Sequence, residues 1–473
     1  MKKSVNYLEK IYKYLPGFVN NIFITGYNFI AYKKRYSGYY NYYRNIFKNN
    51  ENLSFQELKD IQFKKLMDLL NYAKKKSKFY RELYKEIDFN NFTSVKDLEK
   101  LPVINKEMLR QNIDDIVTID KSEAVISKTG GTTGKSLVVY NRKEDIQLGF
   151  AFLDNFRSKY GYTLGKKTAW FSGKNIISER DIRKNIFWKT DYLYKVRYYS
   201  TFHIQQKNLK YYINDLIKFK PLYLVGFPSS INEIASYGLR NNINFPSGIV
   251  KAVFPTAETF TQEFRINIES FFKTKAYDQY ASSEGAPFIF ECTKGNMHLE
   301  LQSGVFEVLD EQNKPAMQGR LVVTSFRNYG TPLIRYDIGD EVILSDEFCD
   351  CGNNNPTIKK VLGRKNDFIY SFETGKITLV NISNCLKGVH GVIKFQIIQD
   401  SMEEILIKIV KDDIYNQQDE KKFIDNLRDR VGKKMKIELV YVDDIENEVS
   451  GKYRLIKNSL PVYVYEKAHT YAQ

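Results

Sequence analysis

The amino-acid sequence predicts an α/β protein: a large N-terminal domain with layered α/β subdomains and a small β-barrel-like part, then a small α+β domain at the C-terminus. Three observations predict this fold. After Pro102, short β-like runs alternate with helical runs, which is typical of parallel strands joined by crossover helices. Residues 300–345 then contain successive strand-like runs, and the residues after 365 show a separate pattern of strands and a helix.

The individual elements follow in chain order. Residues 51–100 have apolar positions at spacings of three and four, which predicts helices. The α/β part contains the strand-like runs TAWFSG, LYLVGFP, IVKAVFP and KAYDQYA and the helical runs NLKYYINDLIKF, SINEIASYGLR and TQEFRINIESFF. An antiparallel sheet or small barrel is predicted from GVFEVLD, GRLVVTSF, LIRYDI and EVILS. The C-terminal unit comprises KFQIIQD, EEILIKIV, a helix over DEKKFIDNLRDRVGKK, and KIELVYVDD. We therefore divide the chain into residues 1–100, 101–364 and 365–473.

Composition narrows the class of protein. The 473-residue chain is long enough for two or three domains, and no run of about 18 apolar residues could span a bilayer. The N-terminus has no apolar stretch with a cleavage site, and four cysteines make no disulfide framework in so long a chain, so we expect a cytoplasmic protein. The net charge of +16 comes without any nucleic-acid-binding motif, so no nucleic-acid partner is expected.

The N-terminal segment 1–48 is both basic and aromatic. It holds nine Lys or Arg residues and one acid, Glu9, interleaved with Tyr and Phe. Such a segment could lie on an anionic membrane surface or contact a lipid-linked substrate. The alternative, which the sequence favours, is an ordinary helical arm whose aromatic residues pack onto the domain.

A glycine-rich loop, SKTGGTTGKS at residues 127–136, suggests a phosphate-binding site. It differs from a Walker A loop because Thr129 stands where the first glycine is required. The apolar runs AVISKT and LVVY flank it, so we predict a strand, a glycine-rich turn and a second strand. Plain turns between strands have the same composition, so the partners of the loop must decide its role.

Four further stretches, in a defined order along the chain, contain hydroxyl, carboxylate, aromatic or basic side chains that could bind the same ligand as the loop. They are YASSEG at 280–285, RYDIGD at 335–340, GRKND at 363–367 and SGKYR at 450–454. Together with the loop they closely resemble the core motifs of the adenylate-forming superfamily over nearly the whole chain. Within it, the resemblance narrows to the phenylacetate-CoA ligase and CapK-like branch through KFKPLYLVGFPSSI, FPTAETF, SSEGAPFIFEC and PLIRYDIGD.

The resemblance implies an ATP site, with 101–364 as the ATP- and acyl-binding domain and 365–473 as a lid. The residues matching the family's phosphate loop are Thr129, Gly130, Gly131, Thr132, Thr133, Gly134, Lys135 and Ser136. Those matching its nucleoside and α-phosphate contacts are Ala257, Glu258, Tyr280, Ser283, Asp340 and Arg364. Glu284 matches the Mg²⁺ ligand, and carboxylates suit that hard cation.

Lys452 matches the catalytic lysine of the family's C-terminal domain, which contacts the carboxylate substrate and the α-phosphate. Two anions approach each other in that reaction, so a cation at their point of contact matters. The second half-reaction uses another orientation of the C-terminal domain, which withdraws the lysine. Two positions depart from the family pattern: Ile338 replaces a threonine, and Asn366 stands at the hinge, where it puts efficient domain rotation in doubt.

The cysteines suggest a zinc site. Cys292, His298, Cys349 and Cys351 could complete a closed tetrahedral site, although a C-x-C pair alone is also consistent with free thiols. They fall where the phenylacetate-CoA ligase-like branch binds zinc, so the resemblance implies a structural Zn²⁺.

The resemblance thus implies an ATP- and Mg²⁺-dependent ligase that converts a carboxylic acid to an acyl-adenylate and transfers the acyl group. The acceptor is coenzyme A, or an amine or hydroxyl of a sugar or amino-acid building block in polysaccharide or secondary-metabolite biosynthesis. A third possibility is an inactive homologue that binds or scaffolds. Carboxylate specificity is expected from Phe254, Pro255 and residues around 199–230, and members of this branch often form dimers.

Overall fold

The protein is described by a computed structural model, which covers residues 17–128, 137–364, 367–448 and 450–460. The phosphate loop 129–136 and the hinge residue Asn366 lie outside these residues.

Helices form the N-terminal layer. They are α1 (Gly17–Arg35), α2 (Tyr39–Asn49), α3 (Phe55–Lys76), α4 (Lys78–Leu83), α5 (Lys106–Gln111) and α6 (Ile113–Ile116). α3 begins at a capping box, in which the Ser54 hydroxyl accepts a hydrogen bond from Glu57 N and the Glu57 carboxylate accepts one from Ser54 N. Its buried leucines enter the main hydrophobic core. The helices predicted over 51–100 are confirmed by α3 and α4, whereas residues 84–100 contain only two short 3-10 helices.

The expectation that the N-terminal aromatic residues pack onto the domain holds only in part. Tyr32 and Phe47 are buried against the domain, but the aromatic residues of α1 before Tyr32 are exposed. The reason is that α1 turns Asn20 and Asn28 inward, and Asn28 Nδ2 donates to Asp191 Oδ2 at 2.7 Å. A buried amide needs a partner, so this contact decides which side of the helix faces the protein.

The predicted strands on either side of the phosphate loop are confirmed. β1 (Val125–Lys128) and β2 (Val138–Asn141) pair as an antiparallel hairpin, and α7 (Lys143–Ser158) follows. The loop therefore does not open a helix directly, in contrast to a Walker A loop.

A five-stranded sheet forms the α/β layer. Its strands are β3 (Thr168–Ser172), β4 (Trp188–Asp191), β5 (Val196–Ser200), β6 (Tyr223–Gly226) and β7 (Ala252–Pro255). The order is β4-β5-β3-β6-β7, and all neighbours are parallel except β4 and β5. The accompanying helices are α8 (Glu179–Arg183), α9 (Gln206–Phe219), α10 (Pro228–Arg240) and α11 (Gln262–Phe272). Parallel strands joined by helices were predicted here and are confirmed.

An antiparallel sheet of seven strands follows, in the order β11-β12-β13-β14-β10-β9-β8. The strands are β8 (Gln279–Tyr280), β9 (Ile289–Glu291), β10 (Met297–Leu299), β11 (Gly304–Leu309), β12 (Gln318–Ser325), β13 (Tyr336–Leu344) and β14 (Thr357–Arg364). This is the predicted antiparallel sheet; among the described residues its order ends at β11 and β8 and does not close into a barrel.

Three predicted strands in this region need correction. Within KAYDQYA only Gln279–Tyr280 is a strand, because the chain leaves the parallel sheet after a bridge between Val253 and Ala276. LIRYDI and EVILS do not form two strands, because β13 runs through both. The intervening Gly339 has φ +82°, and β13 fits three residues, 338–340, opposite the single Leu321 of β12. The predicted break is therefore a bulge.

The C-terminal unit has its own hydrophobic core. Its elements are β15 (Phe368–Ser371), β16 (Gly375–Thr378), α12 (Leu379–Ser383), β17 (Val392–Gln399), β18 (Glu404–Lys411), α13 (Gln417–Val431), β19 (Lys436–Tyr441) and β20 (Ile456–Asn458). The four-stranded sheet has the order β19-β18-β17-β20, and β15 and β16 form a separate hairpin. The predicted α+β pattern is confirmed.

Among the helices of the described ranges, none combines the length and apolar character needed to cross a bilayer.

Candidate active site

The carboxyl ends of the parallel strands form the edge at which Lys452 meets the turn containing Ala257 and Glu258, and ligand sites of α/β sheets usually lie at such an edge. Gly173 follows β3, Thr201 follows β5 and Phe227 follows β6. The loop 450–453 of the C-terminal unit inserts here. Its Gly451 has φ +77°, and a Cβ on Gly451 would lie 2.7 Å from Gly173 Cα, so the two backbones meet where side chains cannot fit.

Lys452 reaches this edge from the C-terminal unit. Its Nζ donates a hydrogen bond to Ala257 O at 2.7 Å and lies 5.8 Å from the centroid of the Phe227 ring. The neighbouring backbone is held as well, because Tyr453 N donates to Glu258 Oε1 at 3.2 Å. The lysine predicted from the SGKYR motif is therefore placed next to the turn predicted from FPTAETF.

That turn follows β7 and carries an unusual backbone. Ala257 has φ +70°, a left-handed conformation that is strained for a residue with a Cβ. Glu258 is held from two sides, since its Oε2 accepts a hydrogen bond from Ser229 N at 3.1 Å at the start of α10. Burial, opposed by the hydrogen bonds and by the charge of Lys452, raises the pKa of Glu258 to about 7.

Tyr280 and Asp340 form a second part of the site. The Tyr280 hydroxyl and Asp340 Oδ2 are 2.5 Å apart, across the gap between β8 and the β13 bulge. Asp340 is also the register partner of Arg364 at the end of β14. A Cβ on Gly363, next to Arg364, would lie 3.5 Å from Thr259 Oγ1. The end of β14 therefore borders the turn that Lys452 contacts.

Glu284 lies four residues after Tyr280 and is buried, whereas Ser283 is exposed. Lys106 Nζ lies 3.4 Å from Glu284 Oε1, and Asn328 Nδ2 donates to the Glu284 carbonyl at 3.0 Å. A buried carboxylate with one basic neighbour keeps oxygen lone pairs for a further cation. The surroundings of Glu284 therefore suit its carboxylate to bind Mg²⁺.

The segment 328–331, which supports Glu284 through Asn328, also contacts strand β2 of the phosphate-loop hairpin. Thr331 N donates to Asn328 Oδ1 at 3.0 Å, and Thr331 Oγ1 donates to Tyr140 O at 2.9 Å. Strand β2 of the hairpin is therefore tied, through Thr331 and Asn328, to the backbone that carries Glu284, although Thr129 to Ser136 themselves are not described.

The four predicted zinc ligands come together. One ligand atom from each of Cys292, His298, Cys349 and Cys351 lies within 4.8 Å of the others. Cys351 Sγ is 3.4 Å from His298 Nε2, and Cys292 Sγ is 3.7 Å from Cys349 Sγ. His298 Nδ1 lies 2.7 Å from Asn355 O, an arrangement that leaves Nε2 free to bind a metal. Three sulfur donors and one nitrogen fit a structural zinc site.

The structure also identifies residues that sequence reasoning missed. Lys106 lies beside Glu284, Asn328 supports it, and Gly173 permits the close approach of the C-terminal loop. A glycine directly after a strand was a usable signal for Gly173. Lys106 and Asn328 stand in no motif, and only the tertiary fold brings them to the site.

Known proteins resemble this chain in both sequence and fold. The family described as the CapK C-terminal domain matches residues 369–459. The chain is 34% identical to Protein CapK of Staphylococcus aureus over 463 residues, which cover 96% of this chain and 100% of that protein. It is 23% identical to phenylacetate-coenzyme A ligase of Thermus thermophilus over 331 residues, 67% of this chain and 73% of that relative.

Among solved structures, 2-hydroxyisobutyryl-CoA ligase shares the fold at 18% sequence identity. In its postadenylation state that enzyme superposes with a TM-score of 0.70, covering 89% of this chain and 94% of that one. In its thioesterification state the TM-score is 0.54 at coverages of 90% and 94%. The domain arrangement described here is therefore more similar to the first state.

Proposed function

The chain belongs to the CapK-like branch of the adenylate-forming superfamily, related to phenylacetate-CoA ligase, and from this membership we propose that it activates a carboxylic acid with ATP. The products of the first step are an acyl-adenylate and pyrophosphate. The observation that carries the proposal is the position of Lys452, which donates from the C-terminal unit to Ala257 O.

The chemistry requires charge neutralisation. A carboxylate oxygen attacks the α-phosphorus in line, and pyrophosphate leaves from the opposite side. Both reactants are anionic, so a cation at their contact stabilises the transition state more than the separated reactants. Lys452 supplies this cation through a long side chain, and the contacts of Gly451 and Tyr453 hold its backbone in place.

The remaining residues would bind ATP. We assign the ribose hydroxyls to Asp340 with Arg364, the adenine ring to Tyr280 and the 257–258 turn, and the α-phosphate to Ser283. Thr129 to Lys135 would hold the outer phosphates through hydroxyl and N–H donors. Glu284 would bind Mg²⁺, which neutralises phosphate charge when bound.

The domain arrangement supports assignment to the first half-reaction. Lys452 lies at the edge of the parallel sheet, and the fold matches the postadenylation state of the CoA ligase better than its thioesterification state. Transfer of the acyl group would need the C-terminal unit to rotate and remove Lys452.

Two acceptors remain candidates. A sugar or amino-acid building block with an amine or hydroxyl, in polysaccharide or secondary-metabolite biosynthesis, is our first choice, because this is the acceptor that the CapK-like resemblance implies and the chain matches CapK over 96% of its length. Coenzyme A is the second, because the chain also resembles a phenylacetate-coenzyme A ligase. Product analysis with each acceptor distinguishes a thioester from an amide or ester.

We also propose a structural Zn²⁺ held by Cys292, His298, Cys349 and Cys351. The hydrogen bond from Asn296 Nδ2 to Cys349 Sγ at 3.1 Å supports a thiolate at that position. All four ligand positions are filled by protein, so this ion would support the fold and take no part in the reaction.

Carboxylate-dependent exchange of label between pyrophosphate and ATP tests the function. The panel contains aryl acids, fatty acids, amino acids and sugar acids, and Lys452→Ala is compared with Lys457→Ala, which removes an exposed lysine from β20. We expect exchange with one class of acid, a loss of at least about a hundredfold in Lys452→Ala, and no loss in the control. ATP binding without exchange for any acid would favour the inactive scaffold.

A further inference from the structure

Helix α1 presents its polar side to the protein and its apolar side outward. Asn20 and Asn28 are 0% and 3% exposed, and the Asn28 amide donates to Asp191 Oδ2 and to the Tyr198 hydroxyl. Six large apolar side chains are each between 51% and 70% exposed: Phe18, Ile22, Phe23, Tyr27, Phe29 and Ile30. At about 3.6 residues per turn, these six fall within one half of the helix circumference. We call them the α1 outer face.

This arrangement reverses the usual pattern for a helix on a soluble domain, in which the apolar side is buried. The hydrogen bonds of Asn28, and that of Thr190 N to Asn21 Oδ1 at 3.0 Å, fix the orientation of the helix. The outer face is therefore part of the folded structure. A contiguous exposed apolar surface of this kind marks a site of interaction.

Basic residues border the outer face. The last turn of α1 carries Lys33, Lys34 and Arg35. A groove of about 430 Å³ beside it is lined by the apolar Phe29 and Ile30 and by Lys33, Lys34 and Lys143. An apolar surface with a basic edge is complementary to a bilayer whose headgroups are anionic.

We propose that the α1 outer face binds the surface of an anionic phospholipid membrane. The apolar side chains would enter the boundary between headgroups and acyl chains, with the helix parallel to the surface. Lys33, Lys34 and Lys143 would contact the lipid phosphates around the groove. A second copy of the chain is the less suitable occupant, because α1 contains no acidic residue and a two-fold interface over this face would bring two sets of lysines together without a compensating charge.

Co-sedimentation with vesicles tests this inference without any activity readout, so its result is independent of the proposed function. The full chain is mixed with vesicles of phosphatidylcholine and phosphatidylglycerol, or of phosphatidylcholine alone. Ile22→Asp is compared with Ile266→Asp, since both are helical isoleucines with 59% and 56% exposure. A third variant combines Lys33→Gln with Lys34→Gln. Thermal unfolding shows whether each variant is folded.

We expect binding to the anionic vesicles that weakens as salt is raised. Ile22→Asp should lower the partition coefficient by about tenfold or more, and Ile266→Asp should leave it unchanged. The double lysine variant should lower it by about 25-fold on anionic vesicles, about fivefold per lysine. Equal binding by Ile22→Asp and its control would overturn the proposal. So would dimerisation that Ile22→Asp abolishes, or vesicle binding that appears only after residues 1–16 or 461–473 are removed.

Discussion

Replacing Gly173 with alanine would separate Lys452 from its site without changing the lysine itself. The backbone of Gly173 lies outside the left-handed region, so an alanine causes no conformational strain there. Its Cβ, however, would lie 1.8 Å from Ser450 O, whereas real contacts of this kind are essentially never shorter than 3.0 Å. The loop 450–453 must therefore retreat by about 1.2 Å, the difference between the two distances.

A retreat of this size has a large expected effect on adenylation. The hydrogen bond from Lys452 Nζ to Ala257 O is 2.7 Å long, so moving it by a further 1.2 Å would break it. Misplacing a catalytic group by about 1 Å can cost about a hundredfold in rate. We expect Gly173→Ala to lower carboxylate-dependent pyrophosphate exchange by about that factor.

The assay compares exchange rate, ATP affinity and unfolding temperature. Gly26→Ala is the matched control, because a Cβ there has no neighbour within 4 Å and the site lies on α1. The unfolding temperature of Gly173→Ala should stay close to that of the unchanged protein, since the loop can move away. Full exchange activity in Gly173→Ala would refute the inference that this contact positions Lys452.

Three further changes test other parts of the site. Asp340→Ala removes the acceptor proposed for the ribose hydroxyls and should weaken ATP binding by about tenfold to a hundredfold in calorimetry, with Asp346→Ala as the control; unchanged affinity would place the ribose elsewhere. Burial raises the pKa of Glu258 from its usual 4.5 to about 7 in this arrangement, so Glu258 stabilises the arrangement fully below pH 4.5 and loses that contribution as pH rises through about 7. Proteolytic protection of loop 450–453 should fall over this range, and Glu258→Gln should remove the dependence; an identical profile in Glu258→Gln would contradict the assignment. Cys349→Ser should lose the zinc found by elemental analysis and unfold at a lower temperature, while Cys385→Ser, a change at a buried thiol away from the cluster, should retain the metal; equal zinc in both would contradict the proposed site.

Much of the fold was predictable because it depends on local patterns. Alternation of β-like and helical runs indicated the parallel sheet, and the runs before and after 129–136 indicated the β1–β2 hairpin. The break predicted near Gly339 was wrong, because a positive-φ glycine can lie within a bulged strand as well as in a turn.

Residues of the candidate site could be predicted from the sequence only where they belong to a recognisable motif. Asp340, Glu284 and Lys452 stand in recognisable stretches, whereas Lys106 meets Glu284 from 178 positions away and belongs to no motif. The sequence also did not show which side of α1 faces the protein. Counting aromatic residues predicts burial, but the partners of Asn28 on β4 and β5 decide which side of the helix faces inward.

Transfer of an oxygen isotope tests the central claim most directly. The acid found in the exchange panel is labelled with oxygen-18 in its carboxylate, and the reaction is run to completion with ATP and the acceptor. If the carboxylate attacks the α-phosphorus, one labelled oxygen remains on AMP after the acyl group is transferred, and pyrophosphate is unlabelled. This is the result we predict. Label in inorganic phosphate, with ADP as the other product, would show attack on the γ-phosphorus and contradict the assignment of this chain as an adenylate-forming ligase.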